Sequence, residues 1–357
     1  MVNLLAKATA TAHGMRMPEL RTLPPIALDT SATPVAGETE PSEVADRLRA
    51  GETLLLQESY RQGVRALELL RREICTPDAD FPTRAAQERR FESVAERLLV
   101  TVERHRVTLS DVPEIGFLAE LYPETPDFTL SLLWVQALNG AWVRHQSGVH
   151  FPVLGRRLHP HYGVYAPARM THLELFATWL SGAGVSKGLA VDVGTGCGVL
   201  ALMLSRAGFS QVVATDINPY ALVGLERDLQ RQPAPTPIVL KQGDLLCEES
   251  GPVDLVVFNP PWTQGEVRTT IDQALVYESG LFERFFDQCM TALAPDGRVA
   301  IIFSTIIRLV QPQVAHPIEA ELAQGRFILD ERVRRKVKPA PGRRTRERVE
   351  VWVLRRA

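Results

Sequence analysis

The stretch "AVDVGTGCGVLAL", Ala190 to Leu202, decides the fold of the second half of the chain. An apolar run carries Asp192 near its end; Gly194, Gly196 and Gly198 follow at alternate positions with Thr195 among them, and a second apolar run comes next. Glycine adopts backbone angles that a side chain forbids, so the pattern predicts a buried strand, a tight turn and a helix. That unit is the ligand-binding corner of an open α/β sheet. Working outward, "QVVATDI", "PIVLKQGD", "VDLVVFN" and "RVAIIFS" read as further buried parallel strands. "GVLALMLSRAG", "PYALVGLERDLQR" and "SGLFERFFDQCMTALAP" read as helices between them. At the end, "RFILDERVRRKV" and "RVEVWVLRR" alternate and predict an antiparallel hairpin at the sheet edge. The expected class is α/β: a doubly wound, mostly parallel, Rossmann-like sheet with a C-terminal hairpin, preceded by an α-helical N-terminal domain.

The rest of the 357 residues divides by texture. Residues 1–41 are rich in Pro, Thr and Ala without a period, as in "RTLPPIALDTSATPVAGETEP", and read as a flexible tail. In 42–148 apolar residues fall three and four apart, first Val64, Leu67, Leu70 and Ile74, then Phe91, Val94, Leu98 and Val102. This predicts a helical domain that recognises substrate. Residues 149–357 form the expected catalytic domain, entered through "VHFPVLGRRLHPHYGVYAPARM", a short hairpin or extended linker. Its histidines, His159, His161 and His172, have no carboxylate or Cys to complete a metal set and read as surface or hinge residues.

The glycine spacing is G-x-G-x-G, whereas a dinucleotide fold wants G-x-G-x-x-G to receive a pyrophosphate. Asp192 before the turn repels phosphate and suits a cationic amino group. Asp216, followed by Ile217, lies one β-α unit downstream, where a carboxylate accepts both hydroxyls of a ribose. Asp244, followed by Leu245, ends the third strand and is placed to accept from an adenine amine. A ligand with a cationic amino acid, a ribose and an adenine but no phosphate is S-adenosylmethionine. Each acid alone reads equally as a helix cap; three at successive strand ends favour the cofactor.

The fourth strand ends in "FNPPWTQG", Phe258 to Gly265. An exocyclic nitrogen on a planar group is a poor nucleophile because its lone pair is delocalised. Two acceptors aimed at its N–H bonds, the Asn259 side-chain oxygen and the Pro260 carbonyl, would localise that pair and stabilise the charge that develops. Pro260 and Pro261 stiffen the loop. Trp262 offers a flat apolar face for an amide or base.

In this order "VDVGTGCG", "TDINPYAL", "GDLL" and "FNPPW" resemble the class I S-adenosylmethionine-dependent methyltransferases with an Asn-Pro-Pro-aromatic signature. Within that group the chain from about Val149 onward is similar to the HemK type, which methylates the glutamine amide of translation release factors. The resemblance implies that Asn259, Pro260, Pro261 and Trp262 bind substrate and carry catalysis. It also implies that Asp192, Gly194, Thr195, Gly196, Gly198, Asp216, Ile217, Asp244, Leu245, Asn259 and Thr171 hold the cofactor. The chain departs from the type at Pro167-Ala168-Arg169-Met170-Thr171, where Pro-Arg-Pro-acid-Thr is frequent, and at Trp262, where Tyr or Phe is common.

Charge bears on the substrate. The net charge of −2 hides +9 between Arg332 and Ala357, so the remainder carries −11. Arg332, Arg334, Arg335, Lys336, Lys338, Arg343, Arg344 and Arg346 read either as a solvated face or as a nucleic-acid contact. The substrate classes left open are a protein glutamine, an adenine or guanine amine in RNA or DNA, and a small metabolite; a non-catalytic binding module is the alternative of another kind. No apolar run approaches the roughly 20 residues of a membrane span. Four scattered cysteines fit a reducing, cytoplasmic setting.

Overall fold

A computed structural model describes residues 23, 24, 26, 31–77, 81–167, 169–247, 251–267, 274–337 and 346–357. The chain divides into two compact units, Leu23–Arg144 and His145–Ala357.

The first unit contains β1 (Thr33–Val35), α1 (Pro41–Arg49), β2 (Leu54–Leu56), α2 (Tyr60–Ile74) and α3 (Phe81–Ala95). β3 (Leu98–Glu103), β4 (Arg106–Val107), α4 (Leu118–Leu121), β5 (Phe128–Ser131) and α5 (Leu132–Ser147) follow. β1, β2 and β3 pair in parallel, and β4 and β5 pair antiparallel with β3, making a five-stranded sheet. The expected α-helical domain over 42–148 is therefore corrected to an α/β one. The second predicted helical series breaks at this point: Phe91 and Val94 lie on α3, whereas Leu98 and Val102 lie on β3. Spacing by three and four continued across the junction and hid the change of period. The tail reading is corrected at its end too. Thr33–Val35 pairs with β2, and the buried Gln62 of α2 donates from Nε2 to the carbonyls of Ala36, Gly37 and Thr39 at 3.1, 3.2 and 2.6 Å. Residues 1–22 lie outside the described residues.

The second unit opens with the expected hairpin, β6 (Val149–Phe151) and β7 (Arg156–Leu158). After it come α6 (Thr171–Gly182), β8 (Leu189–Val193), α7 (Val199–Arg206), β9 (Gln211–Asp216), α8 (Pro219–Arg231), β10 (Ile238–Gln242) and β11 (Val253–Phe258). The remainder is β12 (Thr263–Gln264), β13 (Val276–Tyr277), α9 (Leu281–Ala292), β14 (Leu293–Ser304), α10 (Ile306–Val310), α11 (Pro317–Gln324), β15 (Phe327–Lys336) and β16 (Arg348–Arg356). The seven-stranded sheet runs β10-β9-β8-β11-β14-β16-β15, parallel from β10 to β14 and antiparallel on both sides of β16. All five predicted parallel strands and the C-terminal hairpin are present.

β8 and β11 are central, and Val191, Val193, Val256, Phe258, Val299 and Ile301 bury one shared face against Phe282, Phe285 and Phe286 of α9. The strand order reverses between β8 and β11, so the loops after them part and leave a crevice at their carboxyl ends. In the ladder joining these strands Phe258 pairs with Val193. At the hairpin end the Arg156 guanidinium donates to the carbonyls of Asp228 and Gln232, at 2.9 and 3.0 Å, placing a cation at the C-terminal end of α8.

Part of the basic C-terminal charge is paired within the chain. Arg332 lies 3.7 Å from the Trp352 ring centre and donates to both oxygens of Glu350 at 2.7 and 2.8 Å. Arg335 reaches Glu174 of α6 at 3.4 Å. Arg334, Lys336 and Arg346 are exposed, while Lys338, Arg343 and Arg344 lie outside the described residues.

Candidate active site

The glycine turn is shaped from below by Asp192. This side chain is fully buried, and its Oδ2 accepts from Thr195 Oγ1 at 2.6 Å and from the Ala201 amide at 2.8 Å. One carboxylate oxygen therefore ties the turn to the first turn of α7. Burial pushes the Asp192 carboxyl up to about 7, against the two hydrogen bonds that favour its charge. Gly194 and Gly196 sit at φ 61° and 53°, and Gly198 at 80°. At Gly198 a Cβ would meet Leu225 Cδ1 at 2.3 Å, so this glycine serves close packing of α7 on α8.

Asp216 ends β9 and lies over the turn. Its Oδ2 accepts from the Gly196 amide at 2.8 Å and its Oδ1 from the Asn218 amide at 2.9 Å. Desolvation pushes its carboxyl up to about 6, with the amides of Asn218, Gly196 and Ile217 pulling the other way. Each oxygen keeps a lone-pair direction for a ligand hydroxyl. Beyond β10, Asp244 pairs with Arg284 of α9 at 3.3 Å, and Leu245 takes φ 53° while its carbonyl accepts from Thr215 Oγ1 at 2.5 Å.

The Asn-Pro-Pro-Trp loop leaves β11 beside the turn. Asn259 Oδ1 is buried and has no hydrogen-bond partner among the described residues. Trp262 does not hang free: its Nε1 donates to the Ile302 carbonyl at 3.3 Å, and the His172 ring meets it nearly perpendicular, 5.5 Å between centres. Gln264 and Gln311 then lock the loop reciprocally: the Gln264 amide donates to Gln311 Oε1 at 2.8 Å, and Gln311 Nε2 donates to the Gln264 carbonyl at 2.7 Å.

These loops enclose a cavity of about 420 Å³, a size usual for small-molecule sites. Gly194, Thr195, Gly196, Asp216, Ile217, Asp244, Leu245, Asn259, Pro260, Pro261 and Trp262 line it, as the sequence reading expects of a shared site. Asp192, Gly198 and Thr171 are not on its wall; the first two hold the turn and the helix behind it. The residues present fit an adenosine-bearing sulfonium. Gly194 and Gly196 put no side chain into the space above the turn, two carboxylates stand at successive strand ends, and an orphaned acceptor waits at the fourth.

Sequence reasoning overlooked Tyr165, His172, Glu278 and Arg284, all on the cavity wall. His172 carries a signal in "APARMTHLEL", directly after Thr171, but the sequence reading groups it with the neighbouring histidines. The structure separates them. His159 Nδ1 donates to the His145 carbonyl at 2.6 Å and His161 stacks on Tyr220 at 4.8 Å, whereas burial lowers the His172 imidazole to about 4 and it faces the cavity. Among the described residues no cluster of His, Cys, Asp or Glu could hold a metal ion, and no helix is long and apolar enough to cross a membrane.

Residues 156–314 match the family model described as Methyltransferase small domain, a narrower span than 149–357. Curated relatives agree in class. The release factor glutamine methyltransferase of Deinococcus radiodurans is 32% identical over 146 residues, covering 39% of this chain and 51% of that protein. The tRNA1(Val) (adenine(37)-N6)-methyltransferase of Aeromonas salmonicida is 29% identical over 120 residues, covering 32% and 51%. The ribosomal RNA small subunit methyltransferase C of Chromohalobacter salexigens is 28% identical over 172 residues, covering 47% and 46%. The chain thus spans about half the length of the curated relatives it matches. Residues 156–314 are a class I methyltransferase domain, and S-adenosylmethionine is the cofactor of that class.

Proposed function

We propose that this methyltransferase small domain methylates a planar exocyclic nitrogen, in the HemK manner, on a protein glutamine amide. The observation that carries the reading is the buried Asn259 Oδ1, unpartnered at the cavity wall on the rung next to the glycine turn. A buried acceptor left unmet costs about 1–3 kcal/mol, so its retention favours a donor supplied by the substrate. The bound cofactor supplies an electrophilic methyl group. Asn259 Oδ1 and the Pro260 carbonyl would accept from the two N–H bonds of the incoming amine; its nitrogen would form the new N–C bond as the S–CH3 bond breaks to leave a thioether, and one N–H proton would pass to water, with Pro261 and the paired glutamines behind it holding that geometry. Asp216 and Asp244 bind the ribose and adenine ends of the cofactor. Thr195, Gly194 and Gly196 supply the turn on which it rests.

Glutamine is favoured over other amines by the 32% identity to the Deinococcus radiodurans protein. A nucleobase amine is the second reading. It draws on the exposed Arg334, Lys336 and Arg346 and on the likeness to the Aeromonas salmonicida protein. The test is methyl transfer from labelled S-adenosylmethionine into separated protein and nucleic-acid fractions. Label in protein, resistant to added salt, supports glutamine; label in RNA or DNA, falling steeply with salt, supports the second reading. Asn259→Ala should abolish transfer while leaving cofactor affinity nearly unchanged, and full turnover by that variant would remove the role given to Asn259.

A further inference from the structure

His172 is a polar group of the cavity that the reaction above does not use. It stands in the first turn of α6, is 5% exposed, and shares the cavity wall with Asn259, Pro260, Pro261 and Trp262. Burial lowers its imidazole to about 4, so at neutral pH the ring is uncharged and offers one N–H and one lone pair. Its ring contact among the described residues is the edge-on one with Trp262, and neither nitrogen has a hydrogen-bond partner there. His145 and His159, by contrast, are bonded to backbone carbonyls at 3.2 and 2.6 Å. A neutral imidazole on the cavity wall, unbonded among the described residues, can donate in the same cavity where the buried Asn259 oxygen accepts.

In a carboxamide, an adenine or a cytosine, the NH₂ carbon also bears an acceptor, a carbonyl oxygen or a ring nitrogen. With the two N–H bonds held at Asn259 and Pro260, that acceptor is left to be met from the facing wall. We propose that His172 is a substrate-binding residue whose ring N–H donates to the acceptor flanking the amine, so that the site selects amines carrying such a neighbour and rejects isolated ones. The inference rests on the reading of Asn259 given above and adds a third point of recognition, which sets the in-plane rotation of the substrate.

The experiment uses the full chain, methyl-labelled S-adenosylmethionine, and the protein and nucleic-acid fractions of an extract from cells lacking the protein. His172→Phe keeps the ring packing against Trp262 and removes the N–H; His172→Gln restores an N–H at similar reach. Cofactor affinity should be the same in wild type and both variants. Transfer efficiency on the labelled fraction should fall about tenfold or more in His172→Phe and recover in His172→Gln. Equal efficiency of His172→Phe and wild type, or equal loss in the two variants, would overturn the role. So would a methylated product whose nitrogen has no flanking acceptor. Transfer by Asn259→Ala at the wild-type rate would instead remove the proposed function itself. Absence of label from every fraction with the wild-type chain would remove both.

Discussion

Replacing Asp192 by asparagine removes an ionisable group from under the glycine turn with little change of shape. The wild-type carboxyl is raised from 3.8 to about 7 because the side chain is wholly enclosed, with the Thr195 and Ala201 hydrogen bonds recovering only part of the loss. A group whose folded value lies above its unfolded value binds its proton more tightly in the folded chain. Its contribution to stability is therefore complete below about pH 4 and is lost as pH rises through 7. Three units at 1.36 kcal/mol each amount to ~4 kcal/mol, with no discount for solvent because the group is not exposed. An asparagine in its place would have no such slope. Any fixed cost of placing an amide beside the unpartnered Oδ1 is the same at every pH. Urea unfolding of wild type and Asp192→Asn at pH 4, 5, 6, 7 and 8 should show the variant gaining ~4 kcal/mol on wild type across that range. Taking the difference cancels whatever pH dependence the first unit has. Parallel stability curves would refute the reasoning, because they would mean that the ionised Asp192 carries no burial penalty.

Asp216, raised to about 6, gives a pH dependence to ligand binding. A protonated carboxyl loses an acceptor direction, so affinity for S-adenosylmethionine by calorimetry should weaken as pH falls below about 6. Asp216→Asn should bind more weakly throughout and lose that dependence; a flat wild-type profile from pH 5 to 8 would count against the ribose assignment. Glu350→Ala should destabilise the sheet by roughly 3–5 kcal/mol, since it strips two hydrogen bonds from Arg332 and one, at 3.2 Å, from Trp352 Nε1. A loss below about 1 kcal/mol in urea unfolding would mark the pair as dispensable.

The parallel strands were legible because each is a continuous apolar run bounded by turn residues, and burial on both faces demands such runs. The first unit was not, since β1 and β2 have three residues each and β4 two, too short for alternation to register. The site divides in the same way. Asp216, Gly194, Asn259 and Trp262 follow strand ends, where sequence order dictates place. Arg284 and His172 reach the cavity from helices packed against the sheet, and only tertiary structure brings them there. Asp192 shows the reverse case: its position next to the glycines was correct, but the carboxylate turns inward to Thr195 and Ala201.

The pairing of Phe258 with Val193 has a consequence for substitutions around the site. The glycine turn and the Asn-Pro-Pro loop begin one residue beyond this rung, on strands held about 4.8 Å apart by backbone hydrogen bonds. The offset between the glycine turn and the Asn-Pro-Pro loop is thus gauged by the backbone of the sheet rather than by side chains. A substitution in the surrounding walls, at His172 for example, leaves that spacing unchanged.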